Sequence, residues 1–410
     1  MLSRLEMMMD DFPVPIRRKL EPVLEVLGML GAIRNPRVMA GFVPSFGRGF
    51  ILRLGELGTS DMVSGHAAHF DFEYKSDFPE MRRLYDRAKR NQWNADIDVD
   101  WSIDVDPRNP EVPLVPKLFI DPRVARAHGI KLTPKEHMAL LHDATAWMLS
   151  QFLHGEQGAL FAAAQVTESV QWIDGKYYGA TQVMDEGRHV EAFHRYIDTK
   201  LGKLYTINDN LFTIIDSLMT DSRWDMKFLG MQIMVEGLAL GAFGMLYKFT
   251  REPLMKSMLR YIIQDEARHV HYGVLALRDH VKNQLSEQER REREDWVFEV
   301  SLLMQNRFMM HEIHEEWFEH KVSRRQWREI VTQMPGLREF RSVMFSRLVP
   351  NLKEIGLLSE RMLPYYESAG LLQYMDGRNA TEFADEQDLV ASLDREEVDQ
   401  SLYEIEYAAQ

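Results

Sequence analysis

The spacing of hydrophobic residues changes at Leu132. From there to about Val281, apolar residues recur at helical intervals with few prolines, and Pro253 is the main interruption. A proline at the first helical position and a glutamate three residues after a threonine are typical of a helix start, and Thr133-Pro134-Lys135-Glu136 has both. The pattern predicts helices over residues 133–157 (extending to about 172), 176–202, 207–220, 223–250 and 253–284.

The hydrophobic pattern is less regular before residue 132 and after residue 281. Residues 1–35 are predicted to be helical in part, because apolar residues from Leu20 to Leu30 follow helical spacing. Residues 36–125 are predicted to be irregular: prolines recur every third position from Pro107 to Pro116, and Asn94–Asp106 fits either a strand or a surface loop. The pattern also predicts a charged turn at Glu287–Asp295, then a helix over about 295–321 and shorter helices to about 349.

Composition narrows the class of protein. The 410 residues include 49 Lys and Arg against 63 Asp and Glu, a net charge of −14, which argues against a nucleic-acid partner and against docking on an anionic membrane. The chain has no cysteine, so disulfides and thiolate metal sites are excluded. No apolar run reaches the roughly 18 residues of a membrane span, and Met1–Asp11 does not resemble a secretory signal. We therefore expect a cytoplasmic protein.

The last thirty residues carry most of the excess charge. Thr381–Gln410 contains ten acidic residues and one basic residue, Arg395. Such a segment is typical of a solvated helix pair or a partly disordered arm. We expect this tail to lie outside the core.

One pentapeptide pattern, Asp-Glu-x-Arg-His, occurs twice among the predicted helices. It spans 185–189 and again 265–269. A glutamate and a histidine three residues apart lie on the same face of a helix, so each copy can offer a carboxylate and an imidazole to one metal ion. Thirty residues before each motif glutamate stands another glutamate in apolar surroundings, Glu156 in the first case and Glu236 in the second. A lone buried carboxylate is unfavourable unless it is paired or bound to a metal.

The repeated unit predicts both a fold and a site. Two copies of a helix with Glu followed by a helix with Glu-x-x-His make four helices around two carboxylate–imidazole sites, the inventory of a ferritin-like di-iron bundle. Four carboxylates and two imidazoles suit iron or manganese. The predicted fold is all-α, a ferritin-like four-helix bundle core (126–325) with an irregular, partly helical N-terminal extension (1–125) and C-terminal helices with the acidic tail (326–410). The predicted metal ligands are Glu156, Glu186, His189, Glu236, Glu266 and His269.

The aspartates and arginines of the motifs suit a supporting role. Metal-bound histidines usually donate their other N–H to a carboxylate. We expect Asp185 to orient His269 across the bundle and Asp265 to orient His189, with Arg188 and Arg268 balancing the carboxylates. The cluster His311, Glu312, His314 and Glu315 is interpreted instead as a solvated face, because its neighbourhood is charged throughout.

Apolar residues next to the predicted ligands suggest a substrate pocket, although closing the core would explain any one of them equally well. Such a lining favours an apolar substrate or part of one, such as an acyl chain or an aromatic ring. The candidates are Phe152, Ala159, Leu160, Val190, Phe193, Ala239, Leu240, Phe243 and Ile262.

These motifs carry a family resemblance. Gly155-Glu156 through Asp185-Glu186-Gly187-Arg188-His189 resembles the hydroxylase large subunits of bacterial multicomponent monooxygenases in order and spacing. The run from Leu84 to Trp93 and the Asp-rich stretch after it resemble the approach to the bundle in the small subunit of class I ribonucleotide reductase. The resemblance implies a ferritin-like di-iron centre that activates dioxygen. Glu156, Glu186 and His189 would hold one iron with bridging carboxylate help, and Glu236, Glu266 and His269 the other.

At several positions this chain lacks a residue that these families use, and each difference disfavours one of the possible functions. The reductase keeps its radical tyrosine where this chain has Phe193, so a reductase role is disfavoured. N-oxygenating relatives carry a further histidine ligand where this chain has Ile262. The threonine of the hydroxylases corresponds to Leu240 and that of the acyl-carrier-protein desaturases to Ala239, so protons for O–O cleavage must come from elsewhere.

The resulting expectation is a dinuclear non-haem iron oxygenase that hydroxylates or desaturates an apolar substrate. Two Fe ions are expected, with Mn an option at one or both sites, and O2 as co-substrate. No Gly-rich nucleotide fingerprint is present, so a separate reductase or ferredoxin must supply electrons. A homodimer is expected. The alternatives are a ferritin-like iron-handling protein, which the chain length disfavours, and a ligand-binding di-iron oxidase.

Overall fold

The fold is built from α-helices throughout the part of the chain that the structure describes. The computed structural model covers residues 2–383 and 385–404, with side chains described from Leu5, and within these residues it contains no strand. The all-α prediction is confirmed. In chain order the helices are α1 (Leu2–Met9), α2 (Val14–Ala32), α3 (Pro36–Phe46), α4 (Pro79–Arg90), α5 (Pro122–Ala127), α6 (Pro134–Ser169), α7 (Ile173–Tyr196), α8 (Asp209–Thr220), α9 (Trp224–Phe228), α10 (Glu236–Phe249), α11 (Pro253–Asp279), α12 (Glu287–Arg307), α13 (His311–Trp317), α14 (Arg324–Gln333), α15 (Pro335–Ile355), α16 (Leu363–Ser368) and α17 (Glu386–Arg395).

Four of these helices, α6, α7, α10 and α11, form a bundle at the centre of the molecule. Each pair, α6 with α7 and α10 with α11, is joined by only three residues, so its members run antiparallel as neighbours. Helices α8 and α12 pack against each other beside the bundle, α15 packs on α10, and α4 and α17 pack on α11. The buried apolar residues form one continuous core that extends through the bundle and these covering helices.

The sequence signals at the starts of the bundle helices act as their chemistry predicts. The hydroxyl of Thr133 accepts a hydrogen bond from the amide of Glu136 at 3.2 Å, and the Glu136 carboxylate accepts one from the Thr133 amide at 2.8 Å. Before α11, Glu252 accepts hydrogen bonds from the amides of Leu254 and Met255 at 2.8 and 2.7 Å. These caps satisfy amides that lack a partner inside the helix and fix where each ligand-bearing helix begins.

The helical segment Trp224–Phe249 widens just before a predicted ligand. Residues Leu229–Val235 form a π-helix that ends immediately before Glu236. A π-turn inserts an extra residue into the helical repeat and so changes the direction in which later side chains point. On its other side α10 approaches α15 closely: a Cβ on Gly241 would lie 2.6 Å from Met344 Cα, so only glycine allows this contact. Trp224–Phe249 is long and apolar enough to cross a membrane, yet 94% of its most apolar window is buried inside the fold.

The region 36–125 is more helical than predicted. Helices α3 and α4 lie within it, and each has a proline in its first turn, where the missing amide costs nothing. Helix α4 buries Met81, Leu84 and Ala88 on one face. The segment Asn94–Asp106, which fits a strand or a loop by its pattern, is a loop of turns, bends and irregular backbone.

The predicted turn at Glu287–Asp295 is wrong. These residues form the first half of α12, because Ser286 caps the amide of Glu289 and long charged side chains are strong helix formers. The predicted helix over 295–321 is also interrupted. Helix α12 ends at Arg307, and Met310, with a left-handed φ of 50°, separates it from α13.

The acidic tail, as far as it is described, packs on the bundle instead of extending into solvent. Helix α17 buries Leu389, Val390 and Leu393, three apolar residues at helical spacing. The prediction missed them because it considered only the charge of the segment. Its first residue, Glu386, is only 3% exposed. The final residues of the predicted tail, 405–410, lie outside the described part of the chain.

Candidate metal centre

The four bundle helices bring the six predicted ligands into one buried cluster. Glu156 comes from the middle of α6, Glu186 and His189 from α7, Glu236 from the start of α10, and Glu266 and His269 from α11. None of the six is more than 4% exposed. Such a concentration of buried carboxylates requires compensating positive charge.

The distances define two overlapping groups. Glu156, Glu186, His189 and Glu266 can offer ligand atoms that all lie within 4.8 Å of one another, and so can Glu186, Glu236 and His269. His189 Nδ1 lies 3.2 Å from Glu156 and 3.3 Å from Glu186. His269 Nδ1 lies 3.1 Å from Glu186 and 3.7 Å from Glu266.

The two motif glutamates therefore stand between the two imidazoles. Glu186 and Glu266 each approach both histidines, since His189 Nδ1 is also 3.2 Å from Glu266. Of the two histidines, Glu156 approaches only His189, and Glu236 approaches only His269, at 3.9 Å. This arrangement suits a pair of metal ions with two shared carboxylates and one terminal carboxylate and one imidazole on each side.

Each histidine is held from behind by an aspartate of the opposite motif. His189 Nε2 lies 3.1 Å from Asp265 Oδ2, and His269 Nε2 lies 3.2 Å from Asp185 Oδ2. With Nε2–H donating to the aspartate, the Nδ1 lone pair of each ring faces the carboxylate cluster, as a metal ligand requires.

The aspartates are fixed in turn by cations and an indole. Arg188 donates to Asp185, and also to Asp265 at 3.3 Å. Arg268 donates to Asp265 and, at 3.0 Å, to Glu386 of α17. Each arginine thus donates to the aspartate of its own motif, and its supporting role at a metal centre stays a prediction.

Trp93 extends this support beyond the motifs. Its indole Nε1–H donates to Asp265 Oδ2 at 2.7 Å, and its ring stacks on Tyr261 and lies beside His189, with ring centroids 5.2 and 6.4 Å away. The guanidinium of Arg188 lies over the same indole at 5.2 Å. Asp265 thereby contacts four side chains, those of Trp93, Arg188, His189 and Arg268.

A buried amide links the two halves of the cluster. Gln182, one turn before Glu186 on α7, donates from Nε2 to Glu186 at 3.1 Å and to Glu236 at 2.9 Å. Gln232, in the π-helical turn, donates to the Gln182 oxygen at 3.4 Å. Both amides are fully buried, so their donors serve the carboxylates and not water.

The donor atoms of the cluster fit metal ions. Among the described residues, Glu186 Oε2, Glu236 Oε2, both oxygens of Glu266 and His269 Nδ1 are buried without a hydrogen bond. Burial and repulsion from Glu266 raise the pKa of Glu156 well above its usual value, and burial and repulsion from Glu186 do the same to the pKa of Glu236. The metal-free cluster thus has more carboxylates than it can ionise, and cations would resolve both the repulsion and the unused lone pairs.

A narrow apolar cavity borders the cluster. It contains about 420 Å³ of empty space, part of it open to solvent, and touches Glu156, Glu236 and Glu266. Of the predicted pocket residues, Phe152, Ala159, Ala239 and Phe243 line it. The rest of its lining comes from Gln151, Gly155, Val235, Leu238, Ala242, Arg307, Phe308 and Met344.

The other predicted pocket residues lie elsewhere. Along α6 and α10 the cavity follows the residues three positions after each glutamate, Ala159 and Ala239, so Leu160 and Leu240, one position further, do not line it. Leu240 lines a different cavity, beneath Arg268 and Glu386. Phe193 packs behind the lining against Phe152 and Phe243, with centroids 6.1 and 5.5 Å away, while Val190 is half-buried and Ile262 buried away from the cavity.

The cluster at 311–315 is not the solvated face that its charge suggested. His311 and His314 are 4% and 2% exposed. His311 pairs with Glu25 of α2 at 3.2 Å, and His314 donates to the Val322 carbonyl at 2.8 Å. Glu315 pairs with Arg324, and Glu312 accepts hydrogen bonds from Trp147 and Asn208. Several of these partners are distant in sequence, which a local pattern cannot reveal.

Sequence analysis missed the two buried amides, Arg307 and Phe308, whose closeness to the cluster depends on how the helices pack. Gln182 and Gln232 each stand four residues before a ligand glutamate, a repetition that was visible in the sequence. Arg307 and Phe308 come from the end of α12, and nothing in their local sequence connects them with the metal centre.

Comparisons with known proteins give weak structural likenesses. No protein-family model matches the chain, and the search of curated proteins finds no match. The chain is similar to an R2-like ligand-binding oxidase with an aerobically reconstituted metal cofactor after photoconversion, at 17% identity and a TM-score of 0.45 over 70% of this chain and 99% of that one. It is also similar to a mutant of such an oxidase with an anaerobically reconstituted Mn/Fe cofactor, at 18% identity and a TM-score of 0.40 over 66% and 94% of the two chains. TM-scores below 0.5 do not indicate a function, so the function of this chain has to be inferred from its own residues.

Proposed function

We propose that this protein is a dinuclear non-haem metal oxidoreductase that uses dioxygen to hydroxylate or desaturate an apolar substrate. Glu156, Glu236 and the two motif pairs would hold two iron ions, or manganese in place of one or both. The crossed contacts of His189 with Asp265 and of His269 with Asp185 carry the proposal, because they turn both Nδ1 atoms toward the same set of buried carboxylates. Carboxylate-rich ligation with imidazole suits these metals.

The division of labour between metal and protein follows from the geometry. When bound, the metal ions supply open coordination positions and redox capacity for dioxygen. The aspartates fix the imidazoles, Gln182 fixes two of the carboxylates, and Phe152 and Phe243 keep water from the side of the cluster that faces the cavity. Hydroxylation of a C–H bond consumes one dioxygen, two electrons and two protons and releases one water, so an external donor such as a reductase or ferredoxin is part of the proposal.

Metal analysis combined with oxygen consumption tests this function. We expect the reconstituted protein to retain two metal ions per chain and to consume dioxygen when a chemical reductant is supplied. His269→Ala should lose at least one ion per chain. His311→Ala is the matched control, since His311 is equally a buried histidine paired with a glutamate but lies outside the centre. Failure to retain metal would overturn the proposal, and accumulation of many irons per chain would indicate iron storage instead.

The narrowness of the cavity favours one second candidate, an oxidase that retains its ligand. A cavity of this size between packed aromatic rings releases a bound molecule only if side chains move. Native mass spectrometry of the purified protein distinguishes the two functions. A tightly bound organic molecule that survives turnover favours the ligand-binding oxidase, whereas a molecule that is converted and exchanged favours the oxygenase.

A further inference from the structure

One arginine lines the cavity without a carboxylate partner. Arg307, the last residue of α12, is 5% exposed. Its Nη1 contacts the Met304 sulfur at 3.7 Å, and its guanidinium lies 5.0 Å from the centre of the Phe308 ring. Its Nε is buried without a hydrogen bond to any described residue.

Other arginines of similar burial are treated differently by the fold. Arg188, Arg268 and Arg293 are 5%, 1% and 3% exposed, and each donates to an aspartate. Glu312 is the carboxylate whose charge acts on Arg307. Among the described residues, however, its oxygens accept hydrogen bonds from Trp147 Nε1 and Asn208 Nδ2, at 2.9 and 2.7 Å. Burial lowers the pKa of Arg307 to about 10, so the guanidinium is still charged at neutral pH. A buried charge without its counter-charge is unfavourable for the empty protein.

Arg307 lies at a cavity in which its charge can bind an anion. The same cavity touches Glu156, Glu236 and Glu266 and is otherwise lined mostly by apolar side chains such as Phe152 and Phe243. There is space beside α6, because a Cβ on Gly155 would meet nothing within 4 Å apart from its chain neighbours and the backbone of its own helical turn. A free Nε–H next to an Nη–H is the edge with which arginine binds a carboxylate through two parallel hydrogen bonds.

We propose that Arg307 is the anion-binding residue of this cavity, and that the cavity takes a compact carboxylic acid whose apolar body lies against Phe152 and Phe243, facing the metal centre. The inference rests on the proposed function, which it deepens by naming the substrate class. The carboxylate would fix which end of the molecule faces away from the cluster, and hence which carbon atoms are presented to it.

The turn that follows Arg307 fixes the position of Phe308 in the same cavity. Phe308 also lines the cavity and is placed by a turn in which Met310 adopts a left-handed φ of 50°. The Met309 carbonyl accepts a hydrogen bond from the Trp327 indole at 2.6 Å, which holds this turn. A non-glycine residue in this conformation persists where surrounding contacts enforce it, and here those contacts fix the segment that follows Arg307.

Binding of a matched acid and amide tests the inference. Phenylacetate and phenylacetamide have nearly the same shape and differ in charge, and their affinities for the metal-loaded, full-length protein can be measured by calorimetry. We expect phenylacetate to bind at least tenfold more tightly than the amide. Arg307→Met should abolish this preference by weakening the acid at least tenfold while changing the amide less than twofold, and Arg307→Lys should restore part of it.

Two further variants separate binding from folding. Arg341→Met is the control, because Arg341 also has a buried guanidinium nitrogen without a partner but does not line this cavity; it should keep the acid preference. Gly155→Leu should fill the cavity and weaken acid and amide alike. Equal affinity of the wild-type protein for acid and amide, or an unchanged preference in Arg307→Met, would overturn the inference.

Metal content, measured on the same samples, keeps the two proposals distinct. Arg307→Met should retain as much metal as the wild type and should melt at the same or a higher temperature, since it removes an unpaired buried charge. A lower melting temperature would show that Arg307 serves the fold and would overturn the inference. Retained metal without acid preference contradicts only the anion site, whereas absence of metal contradicts the proposed function itself.

Discussion

Asp265 holds the histidine of the opposite motif, with 3.1 Å between its Oδ2 atom and Nε2 of His189. The reciprocal contact, Asp185 with His269, has nearly the same length at 3.2 Å. Because the support is crossed, α7 and α11 each orient a ligand that the other provides. A shift of one helix against the other would disturb both imidazoles at once, so the orientations of the two histidines are coupled.

Asp265→Asn tests this coupling. The asparagine keeps the shape, but it removes the charge that fixes the histidine N–H and polarises the ring. We expect metal affinity to fall about 10- to 100-fold, the usual effect of losing such a partner. Competition with a chelator measures this. Asp185→Asn should behave alike, while Asp225→Asn, which affects a buried aspartate paired with Arg293 away from the centre, should leave metal affinity unchanged. Normal affinity in both motif variants would contradict the coupling.

Gln182→Leu tests the amide that links the two halves. It removes the donors to Glu186 and Glu236 and leaves buried carboxylate oxygens without them. We expect the free energy of unfolding of the metal-free protein to fall by about 1–3 kcal/mol. The loss should be smaller in the metal-loaded protein, where metal satisfies the same oxygens. Denaturant titration with and without metal measures both values, and equal losses would show that Gln182 contributes by packing alone.

The sequence was most informative where the chemistry repeats. The paired Asp-Glu-x-Arg-His motifs and the isolated Glu156 and Glu236 predicted which helices meet and which side chains face one another, because periodicity fixes the face of a helix. That these six residues bind metal stays a prediction. The division of the chain at 125 and 325 and the expected homodimer also stay predictions.

Contacts between distant segments explain what the sequence could not predict. Trp93 reaches Asp265 from 172 residues away, and Glu386 reaches Arg268 from 118. No local pattern encodes such pairs. The 311–315 cluster was misinterpreted for the same reason, since its histidine is buried by Glu25 of the distant α2. The break at Met310 was missed because its left-handed backbone is imposed by packing and not by a glycine.

The pH dependence of the metal-free protein follows from its protonated centre. Burial alone would lower the pKa of both histidines. The hydrogen bond to Asp265 outweighs burial for His189 and raises its pKa well above the usual value. Attraction by Glu186 has the same effect on the pKa of His269. The pKa values of Glu156 and Glu236 are raised as well. At neutral pH the folded protein therefore holds protons that the unfolded chain has released.

We expect the stability of the metal-free protein to fall as pH rises from about 5 to 9, by about 1.4 kcal/mol per pH unit for each proton held in excess by the folded state. The contribution of the histidines is complete below their unfolded pKa of about 6.5 and is lost as pH passes their folded pKa. Metal displaces these protons, so the metal-loaded protein should have a flatter profile, and metal uptake should release protons. Denaturation at several pH values and calorimetry of metal binding in two buffers measure these effects. A metal-free stability that rises with pH over this range would contradict the assignment.

Glu386 offers a last test, of whether the acidic tail serves the metal centre. It accepts hydrogen bonds from Arg268 at 3.0 Å and from Asn91 at 2.6 Å, and burial of the Arg268 guanidinium depends on this second carboxylate beside Asp265. Glu386→Ala leaves a buried cation under-compensated, so we expect a loss of about 3–5 kcal/mol in the free energy of unfolding. Glu397→Ala removes an equal charge from an exposed site of the same tail and should change stability by less than about 0.5 kcal/mol. Since Arg268 also holds Asp265, which orients His189, Glu386→Ala should weaken metal binding while Glu397→Ala does not; equal effects of the two variants would mean that the tail acts only through its charge.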